Sequence, residues 1–334
     1  MKAFMIERYG DKPGVRATET PAPQVGADDV LVRVHAAGVN PLDLKIRDGA
    51  LKAILPYRLP LILGNDLAGT VVHVGSAVTR FAVGDEVYAR PDKDRIGTFA
   101  ELIAAHQDDL AIKPATLTME ESASLPLVAL TSWQALVERA QVRPGQKVLI
   151  HAGSGGLGTI AVQLAKALGA HVAATASTAK VDLVKELGAD IVVDYKKQDF
   201  ETVLHDYDVV LDSLGGETLE KSLRVLKPGG RVISVAGPPD AAFARESGAN
   251  PILRLAISVL GFRIRRRAKR RHVTYSFLFM KASGDQLREL TALVESGKVR
   301  PVVDRVFPFD QTREAMEYVE KGLARAGKVV VTMK

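Results

Sequence analysis

The sequence predicts an α/β protein that combines a β-rich part with a doubly wound parallel sheet. Three observations predict it: short β-like runs crowd the first third, strand and helix alternate from about Leu125 onward, and a glycine-rich turn joins one strand to one helix. At 334 residues and 47% apolar composition, the chain is long enough for two domains.

In the first third, "DVLVRVHAAGVN", "LAGTVVHVG", "GDEVYAR" and "GTFAELIAAHQDDLAIKP" are apolar runs cut by Gly, Pro and Asp, as in a compact β domain. "PLVALTSWQALVERAQV" reads as a helix. Strands follow at 147–152, 171–176, 191–195, 208–212 and 231–236, separated by helical stretches such as "TAKVDLVKELGA" and "GETLEKSLRVLKPGG". A sixth strand is expected in "HVTYSFLF", then an amphipathic helix in "SGDQLRELTALVESGKV" capped by Ser283 or Asp285. The tail returns to strand, helix, strand, which predicts that the C-terminus rejoins the first β domain. The expected division is a substrate domain over 1–123 and 297–334, with a nucleotide domain, 124–296, inserted between its parts.

The turn lies in "KVLIHAGSGGLGTIAVQLAKALGA". Gly153, Gly155 and Gly158 give G-x-G-x-x-G spacing, with Ser154, Gly156 and Leu157 filling it. A strand running straight into a helix leaves the first helical N–H groups unpaired, and an anion fits in front of them. The spacing points to a dinucleotide pyrophosphate; the plainer reading is a βα turn that merely favours glycine. An acidic residue at the end of the second strand would read a free ribose 2′-hydroxyl. "HVAATASTAK" has none and offers Ser177 and Lys180 instead, which favours NADPH over NADH. Alternatively Ser177 caps the next helix and Lys180 is a solvated charge.

Composition narrows the field further. The cysteine count is 0, which excludes disulfides and every cysteine-based zinc site. No apolar run is long enough to span a bilayer, and "MKAFMIERYG" lacks the layout of a secretion signal, so a cytoplasmic protein is expected. Removing the seven Lys and Arg of "RIRRRAKRR", Arg263 to Arg271, takes the formal charge from +6 to −1. The basicity is therefore local and gives no sign of a fold built around nucleic acid.

The motifs "AAGVNPLDLKIRDG", "LILGNDLAGTVVHVGSAVTRFAVGDEVYA", "GTFAELIAA", "SLPLVALTSWQAL", the glycine turn, "VVDY", "DSLGG", "LKPGGRVISVAG" and "GKVRPVVDRVFPFDQTREAMEYVEKGLARAGKVVV" occur in one order along the whole chain. In this it resembles the medium-chain dehydrogenase/reductase superfamily, in its zinc-independent quinone oxidoreductase and enone or alkenal reductase branch. The resemblance implies a GroES-like β domain beside a Rossmann domain. It also implies an NADPH-dependent oxidoreductase acting on a quinone or an enone, and a homodimer. Zinc-dependent relatives carry Cys where this chain has Asn40, and His-Glu where it has Asn65-Asp66; with amides there and seven scattered histidines, no metal is expected.

The same resemblance implies the site residues. Asn40, Asp43 and Lys45 match the active-site loop and are the catalytic candidates, although many relatives carry an aromatic residue at Lys45. The plain alternatives are a surface Lys45 paired with Asp43, a turn shaped by Asn40 and Asp43, and a loop held by Asp66. Tyr57, Phe277 and Phe279 are pocket candidates, one phenylalanine facing the nicotinamide and the other in the core. Thr131, Tyr195, Ser213, Leu214, Ala236, Gly237 and Lys328 complete the cofactor set.

Hydride would pass to the β carbon of an enone or to a quinone, so the protein must orient the acceptor and place donors where charge develops. A non-enzymatic alternative is an NADPH-binding sensor with little turnover. The stretch around 251–272 has three readings: a helix packed on the sheet or on a second subunit, a basic amphipathic helix on anionic lipid, or a nucleic-acid contact. The last lacks interleaved aromatics and is the least favoured.

Overall fold

The computed structural model describes residues 1–10, 14–246 and 250–333, with the side chains of Glu246 and Leu253 outside the described set. It divides into two compact units, Met1–Leu130 with Lys281–Lys334, and Thr131–Met280.

The spine of the first unit is the strand Asp29–Val39, whose Val30, Val32 and Val34 enter the core. It pairs antiparallel with Leu67–Val74, with Leu102–His106 and with the C-terminal strand Lys328–Thr332, which lies parallel to Val303–Pro308 on its other side. The expected return of the C-terminus to the β domain is thus present. Val329, Val330 and Val331 are all buried, as in a strand flanked by other strands and covered on both faces. Register then does something local: Val329 pairs with Val39, which brings Lys328 beside Asn40 where the spine strand ends.

The units divide at 130/131 and 280/281, and not at 123/124 and 296/297 as expected. The helix Gly284–Glu295 belongs to the first unit, because the buried Tyr88 hydroxyl donates to the Leu287 carbonyl at 2.7 Å. Its cap is Ser283, whose hydroxyl accepts the Gln286 N–H. The amphipathic pattern identifies Leu287, Leu290 and Val294 as its buried face, but periodicity does not say which layer receives that face.

The second unit holds a six-stranded parallel sheet in the order Ile191–Asp194, His171–Ala176, Lys147–Ile150, Tyr207–Asp212, Leu226–Ser234, Thr274–Phe277. In chain order this is 3-2-1-4-5-6, the doubly wound arrangement, with its switch point between the first and fourth strands. The fifth strand begins earlier than expected, because Leu226 pairs with Tyr207 ahead of a register shift. The stretch expected as one helix is regular only over Pro126–Trp133; beyond it the turns widen, and the Ala140 N–H reaches back five residues to Ala135. The basic stretch folds as two helices, Pro251–Leu260 and Phe262–Arg270.

Candidate active site

At the carboxyl end of Lys147–Ile150 the chain turns through Ala152, held at φ +52°, and enters the helix Gly156–Ala167. Gly158 is sterically required, because a Cβ there would lie 2.1 Å from the Ala152 carbonyl. Gly153 is pressed against the second strand, where its Cβ would meet Ala174 at 2.9 Å. Gly155 differs: an added Cβ would find only the Ala152 oxygen, at 3.3 Å. Gly155 stands at the helix N-cap, so no side chain caps the first helical N–H groups. A glycine that the protein's own packing does not demand, in front of uncapped donors, is a cradle for an anionic ligand.

Beside it, the Tyr195 N–H donates to the Ala176 carbonyl and the Lys180 N–H to the Ser177 carbonyl. These two bonds bring Ser177, Lys180 and Tyr195 together at the ends of the second and third strands. Ser177 occupies the cap position of the short turn Thr178–Lys180, yet its hydroxyl makes no cap bond. Its hydroxyl and the Lys180 ammonium have no hydrogen-bond or ion-pair partner among the described residues.

The fourth and fifth strands end in a buried acidic clasp. Asp212 accepts the Leu214 and Gly215 N–H groups at 3.1 and 3.0 Å and the Ser234 hydroxyl at 2.6 Å. Ser234 in turn accepts the Gly237 N–H at 2.7 Å and the Ala236 N–H at 3.3 Å. Ser213, Leu214, Ala236 and Gly237 are thereby fixed at the carboxyl edge of the sheet, with Leu214 and Ala236 exposed. His151 lies beneath, bonded to Ser222 and Thr175, and burial pushes its pKa down to about 4 against the nearby Asp212 charge. Asp212 and Ser234 escaped the sequence reading, although a lone carboxylate ending the apolar run "VVLD" was a usable signal.

The first unit contains a different construction. Two carboxylate, amide, cation relays lie side by side, with all six residues at least nine-tenths buried. In one, Asp66 accepts the Asn40 side-chain N–H at 2.9 Å, and the Asn40 oxygen accepts from Lys328, whose ammonium also reaches Asp66 at 3.2 Å. In the other, Asp43 accepts from the Asn65 amide at 2.7 Å, and the Asn65 oxygen accepts from Arg90 at 3.4 Å. The Asn40 N–H joins them by donating to Asp43 at 2.7 Å. Two negative and two positive groups balance, which makes such burial tolerable. Burial still raises Asp43 to about 6, against the bonds from Asn65 and Asn40, and burial also lowers Arg90.

Local sequence explains the entry to this network. Asn40 ends the spine strand, Pro41 starts the helix Pro41–Arg47, and Asp43 in its first turn reaches back to the Asn40 N–H. Gly38 leaves room for Asp66, since a Cβ there would sit 2.9 Å from its carboxylate and 2.6 Å from the Ala123 carbonyl. Asp66 also accepts the Leu127 N–H, so it holds its loop, as one alternative had it.

Of the catalytic candidates, the structure brings together Asn40 and Asp43 and leaves Lys45 out. Lys45 is exposed on the same short helix and joins neither relay; Asp43 takes its bonds from Asn40 and Asn65, not from a paired Lys45. Tyr57 is half-buried and donates to the Lys93 carbonyl at 2.7 Å. In the second unit Phe277 is a core residue stacked edge-on against Phe243, while Phe279 is only partly buried. Thr131 is buried on Pro126–Trp133. Arg90, the second cation, had no local signal in "VYARPDK".

The residues do not suit zinc. The Asn65 nitrogen is spent on Asp43, and the Asp66 carboxylate is occupied by the Lys328 ammonium and the Asn40 amide. No group of three or more His, Cys, Asp or Glu able to hold a metal occurs among the described residues.

Family models match both parts: an alcohol dehydrogenase GroES-like domain over 26–115 and a zinc-binding dehydrogenase model over 187–331. The zebrafish "NAD(P)H oxidoreductase RTN4IP1, mitochondrial" is 37% identical over all of this chain and 91% of its own length. The chain belongs to the medium-chain dehydrogenase/reductase superfamily. Within that superfamily it falls among quinone and alkenal oxidoreductases, and it is a nicotinamide-dependent oxidoreductase. The "NADPH-dependent alkenal/one oxidoreductase, chloroplastic" of Arabidopsis thaliana is 36% identical, covering 99% of this chain and 79% of the relative. The solved quinone oxidoreductase of Coxiella burnetii superposes with a TM-score of 0.87 at 32% identity, over 100% of this chain and 99% of that one.

Proposed function

We propose that the protein is a zinc-independent, NADPH-dependent reductase of conjugated carbonyl compounds, enones and enals first, with quinones as their cyclic counterparts. One observation carries the reading: Lys328 is held by Asn40 and Asp66 in a network at the positions where zinc-dependent relatives carry metal ligands.

The glycine turn and the uncapped helix suit a pyrophosphate, with Ser213, Leu214, Ala236 and Gly237 along the same sheet edge. Ser177 and Lys180, a hydroxyl and a cation without protein partners, suit a 2′-phosphate, with Tyr195 alongside. The bound nicotinamide supplies a hydride from its C4. When hydride reaches the β carbon of an enone, the π electrons move onto the carbonyl oxygen, and a proton added at the α carbon completes the reduction. A hydrogen-bond donor at that oxygen lowers the barrier. An ammonium has three N–H groups, and Asn40 and Asp66 take two from Lys328, so the third serves the oxygen. Asp66 and Asn40 hold the ammonium and aim it; Asp43, Asn65 and Arg90 hold Asn40.

The test is NADPH oxidation followed by absorbance with a metal chelator present, comparing an aliphatic α,β-unsaturated ketone with a simple para-quinone. Turnover that the chelator does not change is expected, faster with the ketone. Loss of activity on chelation would overturn the zinc-free reading. NADPH binding without turnover of either acceptor would overturn the reductase.

A further inference from the structure

We propose that the helix pair Pro251–Leu260 and Phe262–Arg270 is a docking surface for an anionic phospholipid bilayer. Ile252, Leu255 and Val259 follow one another at spacings of three and four, which places them on one helix face, and they are 82%, 68% and 66% exposed. Leu260 and Phe262 extend the patch. Among the described residues, five of the thirteen exposed large apolar side chains thus fall in one stretch of eleven residues. Soluble surfaces rarely gather them so.

The basic residues adjoin this patch. In Phe262–Arg270, Ile264 and Ala268 pack into the core of the second unit, which turns Arg263, Arg266, Lys269 and Arg270 to solvent. Arg267 is engaged by Glu220, and Arg265 by the Gly261 and Ser258 carbonyls. Arg266, Lys269, Arg270 and Arg271 have no carboxylate partner among the described residues. An exposed apolar face flanked by unneutralised cations is the chemistry of a helix lying in a bilayer interface, apolar groups among the acyl chains and cations at the headgroups.

Charge decides against two other occupants. A second copy related by a two-fold axis would set this patch on itself and bring like charges together. A nucleic acid would satisfy the cations but leave Ile252, Leu255 and Val259 in water, with Phe262 the one aromatic among the described residues of the patch. No helix among the described residues is long and apolar enough to cross a membrane, so the contact is peripheral.

Co-sedimentation with vesicles of phosphatidylcholine alone, and of phosphatidylcholine with about one third phosphatidylserine, tests this. The full chain should pellet with the anionic vesicles only, and salt should release it. Replacing Arg266, Arg270 and Arg271 with Gln should weaken binding on the order of 100-fold. Leu255→Asp with Val259→Asp should weaken it at least ~10-fold while leaving the charge cluster intact. Unchanged NADPH binding shows that both variants are folded. Equal recovery with the two vesicle types overturns the proposal. So does an unaltered chain that binds no vesicles but dimerises with rising concentration, the dimer being lost with Leu255→Asp and Val259→Asp, which makes the patch a subunit contact. Tight binding of a single-stranded oligonucleotide without vesicle binding also overturns it.

Discussion

Lys328 donates a hydrogen bond to Asn40, 288 positions earlier in the chain, and both lie on Asp66. No local preference brings them together; the pairing of Val329 with Val39 does. The arrangement makes Lys328 a structural residue, the proposed function makes it a chemical one as well, and the two roles separate experimentally.

Replacing Lys328 with Met leaves Asp66 buried with the Asn40 side-chain and Leu127 backbone N–H groups but without its cation. Breaking a buried pair in this way costs about 3–5 kcal/mol, and losing an oxyanion donor costs on the order of 100-fold in kcat. Lys328→Arg keeps the charge and restores the melting temperature, but not the geometry. A variant with recovered stability and full activity would remove Lys328 from the chemistry.

Gly155→Ala and Gly158→Ala should behave oppositely. At Gly158 the methyl collides with the Ala152 backbone, so stability falls by about 2 kcal/mol or more. At Gly155 the methyl meets only the Ala152 oxygen, at 3.3 Å, a far milder crowding than at Gly158, so the melting temperature should fall much less while NADPH affinity drops at least ~10-fold. Fluorescence titration beside a thermal melt distinguishes the two.

Lys180→Ala with Ser177→Ala should lower kcat/KM for NADPH by roughly 10-fold to 100-fold, the worth of charge-assisted bonds to a phosphate, and leave NADH unaffected. Parallel loss with both cofactors would contradict a 2′-phosphate site.

Asp43 and His151 give opposite pH slopes. The folded pKa of Asp43 is raised from 3.8 to about 6, so its contribution to stability is full below pH 3.8 and fades as pH rises to 6. His151 is lowered from 6.5 to about 4, so its contribution is full above pH 6.5 and fades as pH falls to 4. Each slope is on the order of 1 kcal/mol per pH unit within its window. Because Asp43 lies in the first unit and His151 in the second, acidification from pH 6 should loosen the sheet of the second unit and tighten the relays. Amide-exchange protection factors, corrected for the intrinsic rate at pH 6.5 and pH 4.5, read the units separately; higher protection around His151 at the lower pH would contradict this.

What was legible in the sequence was what neighbouring residues determine. The glycine turn, the alternation of strands and helices, the final strand and the Asn40-Pro41-Asp43 turn all carry their own short-range reasons. What was not legible depends on contacts across the chain. Lys45 and Asp43 stand two apart on one helix, and only the arrival of Asn65 shows that Asp43 faces inward while Lys45 faces water. Arg90 resembles any arginine after a strand until its surroundings close over it. Gly284–Glu295 displays its apolar face plainly, but Leu287 is assigned to the first unit only by Tyr88, 199 positions earlier.

The strand Lys328–Thr332 fills the slot between Val303–Pro308 and Asp29–Val39, and it brings the one ammonium of the Asn40 relay. During synthesis on the ribosome, the glycine turn and its sheet leave the exit tunnel long before this strand does. The relay around Asn40 therefore closes later in synthesis than the sheet of the second unit. On the proposed function, a chain without Lys328 would hold cofactor and turn over little.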